Sequence, residues 1–164
     1  MDADTNMNNI VKLLSNHGAI VTGSFALKSL GFFGENTDRI VHDIDLVFKT
    51  KEDFHKFVSK IPELTILKNE TIDESPVEYV DDYYRLYLEN ETVKIDCFIR
   101  GEDIPYIKFD GIVYEIPRNI VKAKIDILFD RFMNVDDATY TKHKDDLHYI
   151  FELSRGFVDK TITL

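Results

Sequence analysis

The most informative stretch of this 164-residue sequence runs Val41-His42-Asp43-Ile44-Asp45-Leu46-Val47-Phe48. Its apolar residues predict a buried strand, which we expect to extend over residues 39–48. Because successive side chains of a strand point to opposite faces, Asp43 and Asp45 share one face, away from Ile44. Two ionised carboxylates so close together repel each other, so a site that keeps both charged holds a cation or a cluster of donors. Mg²⁺ suits such oxygen ligands. An exposed strand end with no role is the alternative.

Gly23-Ser24 follows a β-prone run at residues 19–22 and opens an apolar stretch that ends at Gly31. This order predicts a strand, a glycine turn and a helix. A glycine in that position lets the backbone approach a phosphate, and the helix N-terminus offers free N–H groups and a favourable dipole. The Ser24 hydroxyl would add a donor. A tight turn in which Ser24 only caps the helix is the alternative.

A third acid, Asp96, lies within the apolar run at residues 93–99. Strand alternation separates its side chain from those of Ile95 and Cys97. If this strand lies beside residues 39–48, three carboxylates converge. Two could then bind a metal ion, and the third could share a second metal and activate an attacking hydroxyl. The alternative is an ion pair between Asp96 and Lys94 or a nearby helix lysine.

The remaining pattern alternates between strands and helices. We predict a first helix at 6–17, strands at 64–67, 77–80, 83–88, 92–99, 106–109 and 112–116, a helix after Thr50, and helices after Pro117 and at 137–154. The turns at 89–91 and at Asp110-Gly111 indicate hairpins. The result is an α/β (α+β) fold with a mixed, largely antiparallel central sheet flanked by helices. We assign residues 1–116 to its core and 117–164 to a C-terminal helical extension packed on that core, in one compact domain.

Composition narrows the classes of function. Twenty Lys and Arg against thirty Asp and Glu give a net charge of −10, which disfavours non-specific nucleic-acid binding. The single cysteine, Cys97, lies in an apolar run, so we predict that it is a small buried hydrophobic residue. The sequence shows neither a secretory signal nor a membrane-spanning run, so we expect a cytoplasmic protein without a membrane partner. The tyrosines at 79, 83, 84 and 87 are typical of sheet packing.

These motifs together resemble the nucleotidyltransferase superfamily with a polymerase-β-like core. The matching residues are Gly23-Ser24, the pair Asp43 and Asp45, and Asp96. The resemblance implies that Asp43 and Asp45 hold metal ions, Mg²⁺ or Mn²⁺, which grip the triphosphate of an NTP such as ATP. It also implies that Asp96 completes the metal site and helps to deprotonate the acceptor hydroxyl, while Gly23 and Ser24 bind phosphate.

The C-terminal helices resemble those of AbiEii-type abortive-infection toxins. In that group a helix with Lys and Arg seven residues apart precedes a Lys-Asp helix, and the matching residues here are Lys124, Arg131 and the pair Lys144-Asp145. The resemblance implies that these residues face the nucleotide phosphates and that the protein acts in a toxin–antitoxin context. This chain differs from the group at His148, where the group often has another Asp.

The sequence therefore predicts a metal-dependent enzyme that transfers NMP from an NTP to an acceptor hydroxyl on an RNA 3′ end such as that of tRNA, on a protein or on a small molecule. The competing hypothesis is an inactive binding protein of the same fold, an antitoxin-like or structural partner. A nuclease or phosphatase that uses the same carboxylates is less favoured, because Gly23-Ser24 indicates triphosphate binding.

Overall fold

A computed structural model describes residues 3–34, 39–66, 82–129 and 137–162. The elements, in chain order, are α1 (Ala3–Asn16), β1 (Ile20–Thr22), α2 (Gly23–Ser29), β2 (Asp43–Phe48), α3 (Lys51–Ser59), β3 (Leu64–Ile66), β4 (Asp82–Leu88), β5 (Lys94–Ile99), β6 (Tyr106–Phe109), β7 (Ile112–Glu115), α4 (Pro117–Phe129) and α5 (Asp137–Ile162).

The seven strands form one mixed sheet in the order β3-β4-β5-β2-β1-β7-β6. Four of the six neighbouring pairs are antiparallel, and the two parallel pairs are β2 with β5 and β1 with β7. This arrangement confirms the predicted α/β architecture with a largely antiparallel sheet, flanking helices and C-terminal helices. The boundary between residues 116 and 117 stays a prediction.

Strand alternation on β2 separates the core from the charged face. Ile44 and Leu46 are fully buried, whereas Asp43 and Asp45 on the other face are partly buried. The apolar side contacts α3, whose Phe54 stacks on Tyr84 of β4 with 4.3 Å between ring centroids. One face of β2 therefore packs into the apolar core, and the opposite face carries Asp43, Asp45 and the buried Val47.

Local signals in the sequence explain two of the connections. Thr50 precedes α3, and its side chain accepts a hydrogen bond of 3.1 Å from the backbone N–H of Asp53, which caps the helix. Asp110 and Gly111 join β6 to β7 with φ angles of 50° and 77°. Both angles are positive, which is the backbone that a two-residue hairpin turn demands.

Two predicted boundaries are corrected. The strand predicted over 39–48 begins only at Asp43, because neither neighbouring strand extends further: β5 begins opposite Asp43, and β1 ends opposite Asp45. The last helix continues to Ile162 instead of ending near residue 154, since a single internal Gly156 costs a helix only about 1 kcal/mol. The strand predicted at 77–80 lies outside the described residues.

None of the helices in the described part of the chain is both long and apolar enough to span a membrane.

The buried Phe54 gives a test of the core. We expect Phe54→Ala to lower the free energy of unfolding by about 3–5 kcal/mol, because it removes a fully buried ring. The matched control is Phe129→Ala, whose ring is 79% exposed and should change the free energy by less than about 0.5 kcal/mol. Urea denaturation measures both, and equal losses would contradict this packing.

Candidate functional site

The parallel pairing of β2 with β5 brings the predicted acids onto one face of the sheet. Its register places Asp45 directly opposite Asp96, and Asp43 lies two residues earlier on the same face. Asp96 is buried, as its position in an apolar strand predicts. However, no set of three or more His, Cys, Asp or Glu side chains among the described residues is arranged to hold a metal ion. The acids share a face without forming a three-carboxylate metal cage.

The same register extends across the sheet. Thr22 of β1 lies opposite Asp45, and Arg85 of β4 lies opposite Asp96. On the far side, the Thr22 hydroxyl donates a 2.6 Å hydrogen bond to Oε1 of the fully buried Glu115. We call these five residues, Arg85, Asp96, Asp45, Thr22 and Glu115, the polar row.

Arginines stand at both ends of the polar row. Arg85 is itself one end, and at the other end Arg100 forms an ion pair with Glu115. Because a buried carboxylate is costly without a partner, the Arg100 guanidinium explains how Glu115 remains fully buried. Sequence reasoning found neither Arg100 nor Glu115, since their pairing depends on the parallel contact of β7 with β1.

Two donors bind Asp96. The hydroxyl of Tyr83 donates to its Oδ1 at 2.5 Å, and Nε of Arg85 donates to the same oxygen at 3.0 Å. The partner of Asp96 is therefore Arg85, and not Lys94 or a helix lysine. Tyr83 has a polar role besides packing. The predicted turn at 89–91 would have placed Arg85 opposite Ile95, one residue away from the observed register, so the sequence alone did not reveal this pairing.

Neighbouring charges change the ionisation of Asp45. Burial and the adjacent Asp96 carboxylate raise the pKa of Asp45 from 3.8 to about 7, and Asp43 adds to this effect. Lys142 and Lys124 oppose the rise but do not cancel it. A group in this state is ionised more readily when a cation is nearby.

Gly23 makes room for Asp45. It begins α2 with φ of +71°, and a Cβ placed on it would lie 2.2 Å from Oδ2 of Asp45. Every other residue type would therefore collide with that carboxylate. The helix is only seven residues long, so its dipole is small. Steric space for Asp45 is thus the observed reason for glycine at position 23.

Ser24 and Lys124 contact each other, and both also bind the carboxylate of Asp146. The Ser24 hydroxyl donates to Oδ2 of Asp146 at 3.1 Å, and Lys124 Nζ donates to the same oxygen at 2.9 Å. Nε of Arg39 donates to Oδ1 of Asp146 at 2.6 Å. Lys124 also contacts the Ser24 oxygen at 3.1 Å. We call Ser24, Arg39, Lys124 and Asp146 the Asp146 cluster.

The pair predicted on the last helix, Lys144-Asp145, faces away from the cleft. Lys144 and Asp145 are exposed and do not line the cleft described below, whereas Asp146 is fully buried. Lys142 and His143 lie on the same side of α5 as Asp146, because positions three and four apart share a helix face. Sequence reasoning could not choose this face. The remaining predicted residue, Arg131, lies outside the described residues.

His143 is held neutral. Burial and then the charges of Lys124 and Lys142 lower the pKa of His143 to about 3. Its Nδ1 lies 3.1 Å from Lys124 Nζ and can accept a hydrogen bond from it. Burial also lowers the pKa of Lys124, against the opposing effect of Asp146.

A cleft of about 360 Å³ opens beside Asp45, between the sheet and α4. Such a volume lies within the range of small-molecule sites. Asp43, Asp96, Tyr83 and Arg85 do not line it. Its lining combines apolar groups with basic ones: Thr22, Gly23, Ser24, Asp45, Phe98, Ile99, Arg100, Glu102, Asn119, Ile120, Lys122, Ala123, Lys124, Asp126, Ile127, Lys142 and His143. Four cations of this lining, Arg100, Lys122, Lys124 and Lys142, stand beside three acidic residues, Asp45, Glu102 and Asp126, in a chain of net charge −10.

Comparison with known proteins gives no matching family model and no matching curated protein. Among solved structures, the chain is similar to JHP933 from Helicobacter pylori (20% identity, TM-score 0.48, 74% of this chain and 54% of that one). It is also similar to a second H. pylori protein, which is described as a provisional nucleotidyltransferase. That match has 20% identity and a TM-score of 0.42, and it covers 74% of this chain and 56% of that one. The match to the Megavirus polyadenylate synthase has 13% identity and a TM-score of 0.57, and it covers 89% of this chain and 30% of that one.

This chain thus spans little more than half of each H. pylori chain and less than a third of the Megavirus chain. The likeness to the Megavirus protein concerns the fold alone. The sheet and helices described above have a nucleotidyltransferase-type fold.

Gly23→Ala tests the contact with Asp45. Both Gly23 and Gly31 have positive φ, but nothing lies within 4 Å of a Cβ on Gly31. Gly31→Ala should therefore lower the free energy of unfolding by only about 1–2 kcal/mol, the cost of a positive φ for alanine. Gly23→Ala should lower it by about 1–3 kcal/mol more, because Asp45 must move. Equal urea midpoints for the two variants would contradict the steric role of Gly23.

The raised pKa of Asp45 predicts a pH dependence of stability. The folded state binds this proton more tightly than the unfolded state, because the pKa is about 7 in the folded chain against 3.8. Stability of the wild type should therefore fall as the pH rises from about 4 to about 7, relative to Asp45→Asn, which lacks the group. Urea midpoints at pH 5 and pH 8 in EDTA measure this. Parallel curves for both proteins would contradict it.

Proposed function

We propose that this protein transfers a nucleoside monophosphate from an NTP to an acceptor hydroxyl and releases pyrophosphate. The observation that carries the proposal is the position of Asp45: it lies opposite Asp96 in the sheet and also lines a cleft that contains Lys124 and Lys142. Carboxylates and cations at the same place suit the binding of a metal-bound triphosphate. The nucleotidyltransferase-type fold supports this reading.

The cleft would bind the donor nucleotide. Lys124, Lys142 and the Asp146 cluster would attract the phosphates, and Phe98 and Ile127 would cover the nucleoside. These cations matter because the chain as a whole, at −10, repels a triphosphate at long range.

Asp43 and Asp45 would hold Mg²⁺ or Mn²⁺. The fit rests on their shared face and on the raised pKa of Asp45, since a cation relieves the repulsion from Asp96 and Asp43. Mg²⁺ commonly takes one or two protein carboxylates and completes its shell with water and substrate phosphates, so it does not require a cage of three acids. The ion would neutralise charge on the triphosphate.

In the transfer, the acceptor oxygen forms a bond to the α-phosphorus of the NTP. The bond from that phosphorus to the bridging oxygen of the β-phosphate breaks, and pyrophosphate leaves. The hydroxyl proton passes to Asp96 and then to water. Asp96 does not line the donor cleft, so the acceptor would approach from its side of the polar row. An RNA end, a protein and a small molecule all fit this chemistry, and the toxin–antitoxin context is part of the proposal.

A second candidate is a binding protein without turnover. The observation in its favour is Asp146, whose carboxylate already engages Ser24 and Lys124, the residues expected to hold phosphate. In this case the chain would keep the fold and bind a partner without transferring a nucleotide.

The deciding experiment offers each α-labelled NTP with Mg²⁺ or Mn²⁺ to the protein, together with mixed RNA and protein extract. We expect the wild type to transfer label, and Asp43→Asn and Asp96→Asn to lose it by at least about 100-fold. The control is Asp103→Asn, whose side chain is 90% exposed and should keep full activity. A wild type that neither labels anything nor binds NTP–Mg²⁺ by calorimetry would favour the binding protein.

A further inference from the structure

The hydrogen bonds to Asp96 are one-sided. Tyr83 and Arg85 both donate to Oδ1, and no described residue donates to Oδ2. From this geometry we infer that Tyr83 and Arg85 are positioning residues, which lock one oxygen of Asp96 so that the other faces the reaction. This inference rests on the proposed nucleotidyl transfer and adds two residues to it.

The hairpin of β4 and β5 makes this arrangement rigid. Tyr83 and Arg85 lie two residues apart on β4 and therefore on one face, with Arg85 opposite Asp96 and Tyr83 opposite Phe98. The Tyr83 ring also packs against Phe98, with 5.4 Å between centroids. Both donors thus belong to backbone that is fixed by the sheet, and a group on a strand is held more precisely than one on a loop.

Charge supports the same role. The Arg85 and Asp96 side chains are 12% and 13% exposed, so their ion pair is largely shielded from water. Arg85 supplies a positive charge next to Asp96, whose carboxylate lies opposite Asp45 on the neighbouring strand.

The consequence is that Asp96 acts through a single oxygen. With Oδ1 held by two donors, the carboxylate cannot rotate freely, and only Oδ2 can bind a metal ion or accept the hydroxyl proton. A misplacement of about 1 Å in a reacting group can lower a rate by about 100-fold. Loss of either donor should therefore slow the chemical step without weakening the binding of NTP, because neither donor lines the cleft.

The test compares Tyr83→Phe with Tyr84→Phe. Both remove one hydroxyl from the same strand, but Tyr84 lies on the opposite face, stacked on Phe54. Pyrophosphate release at saturating NTP, with the mixed RNA and protein extract as acceptor, should fall about 30-fold in Tyr83→Phe and stay within about twofold in Tyr84→Phe. The dissociation constant of NTP–Mg²⁺ by calorimetry should change by less than about twofold in both, as expected for groups outside the cleft.

Arg85 gives the second comparison. Arg85→Lys keeps a charged donor and should retain the rate to within about fivefold, whereas Arg85→Met should lose about 100-fold. The inference is overturned if Tyr83→Phe turns over as fast as Tyr84→Phe, or if the variants lose NTP affinity and thermal stability while the rate per bound NTP is unchanged. A wild type with neither NTP binding nor pyrophosphate release would instead overturn the proposed function, and this inference with it.

Discussion

The parallel register of β2 and β5 is the constraint on which the rest of the site depends. It sets Asp45 against Asp96, and each of these residues then fixes its outer neighbour, Thr22 on one side and Arg85 on the other. A shift of one residue would turn every side chain of β2 to the opposite face. Ile44, which is fully buried in the core, would then face the cleft. The apolar core and the charged face therefore specify the same register.

Keeping these acids together has an electrostatic cost, and the structure offsets it locally. Arg85 and Arg100 terminate the polar row, while Lys124 and Arg39 surround Asp146. Among the described residues, every side-chain nitrogen or oxygen atom that is wholly shielded from solvent has a hydrogen-bond partner. Removal of one member of such a buried pair costs about 3–5 kcal/mol, because the other charge is left without a partner. The repulsion that remains is concentrated on Asp45, beside the cleft.

Short-range rules predicted the parts of this site that lie within one element. Alternation identified the shared face of Asp43 and Asp45, and turn chemistry identified the hairpins. Gly23 was found for a different reason from the one observed, since a close approach of Asp45 and a close approach of phosphate both require glycine. The pairing of Arg39 with Asp146 was beyond reach, because 107 positions separate them. The choice of Asp146 over Lys144-Asp145 depended on the orientation of α5, which sequence periodicity did not show.

The Asp146 cluster can form only after the polar row during synthesis of the chain. The polar row lies within residues 22–115, so its members have all been added before α4 and α5 exist. Ser24 must wait for a carboxylate 122 positions later. A ribosome adds residues from the N-terminus, and domains fold as their segments emerge. Until residue 146 leaves the exit tunnel, Ser24 and Lys124 lack this partner. The nascent chain therefore carries the acidic half of the site before it contains the carboxylate that binds the cations.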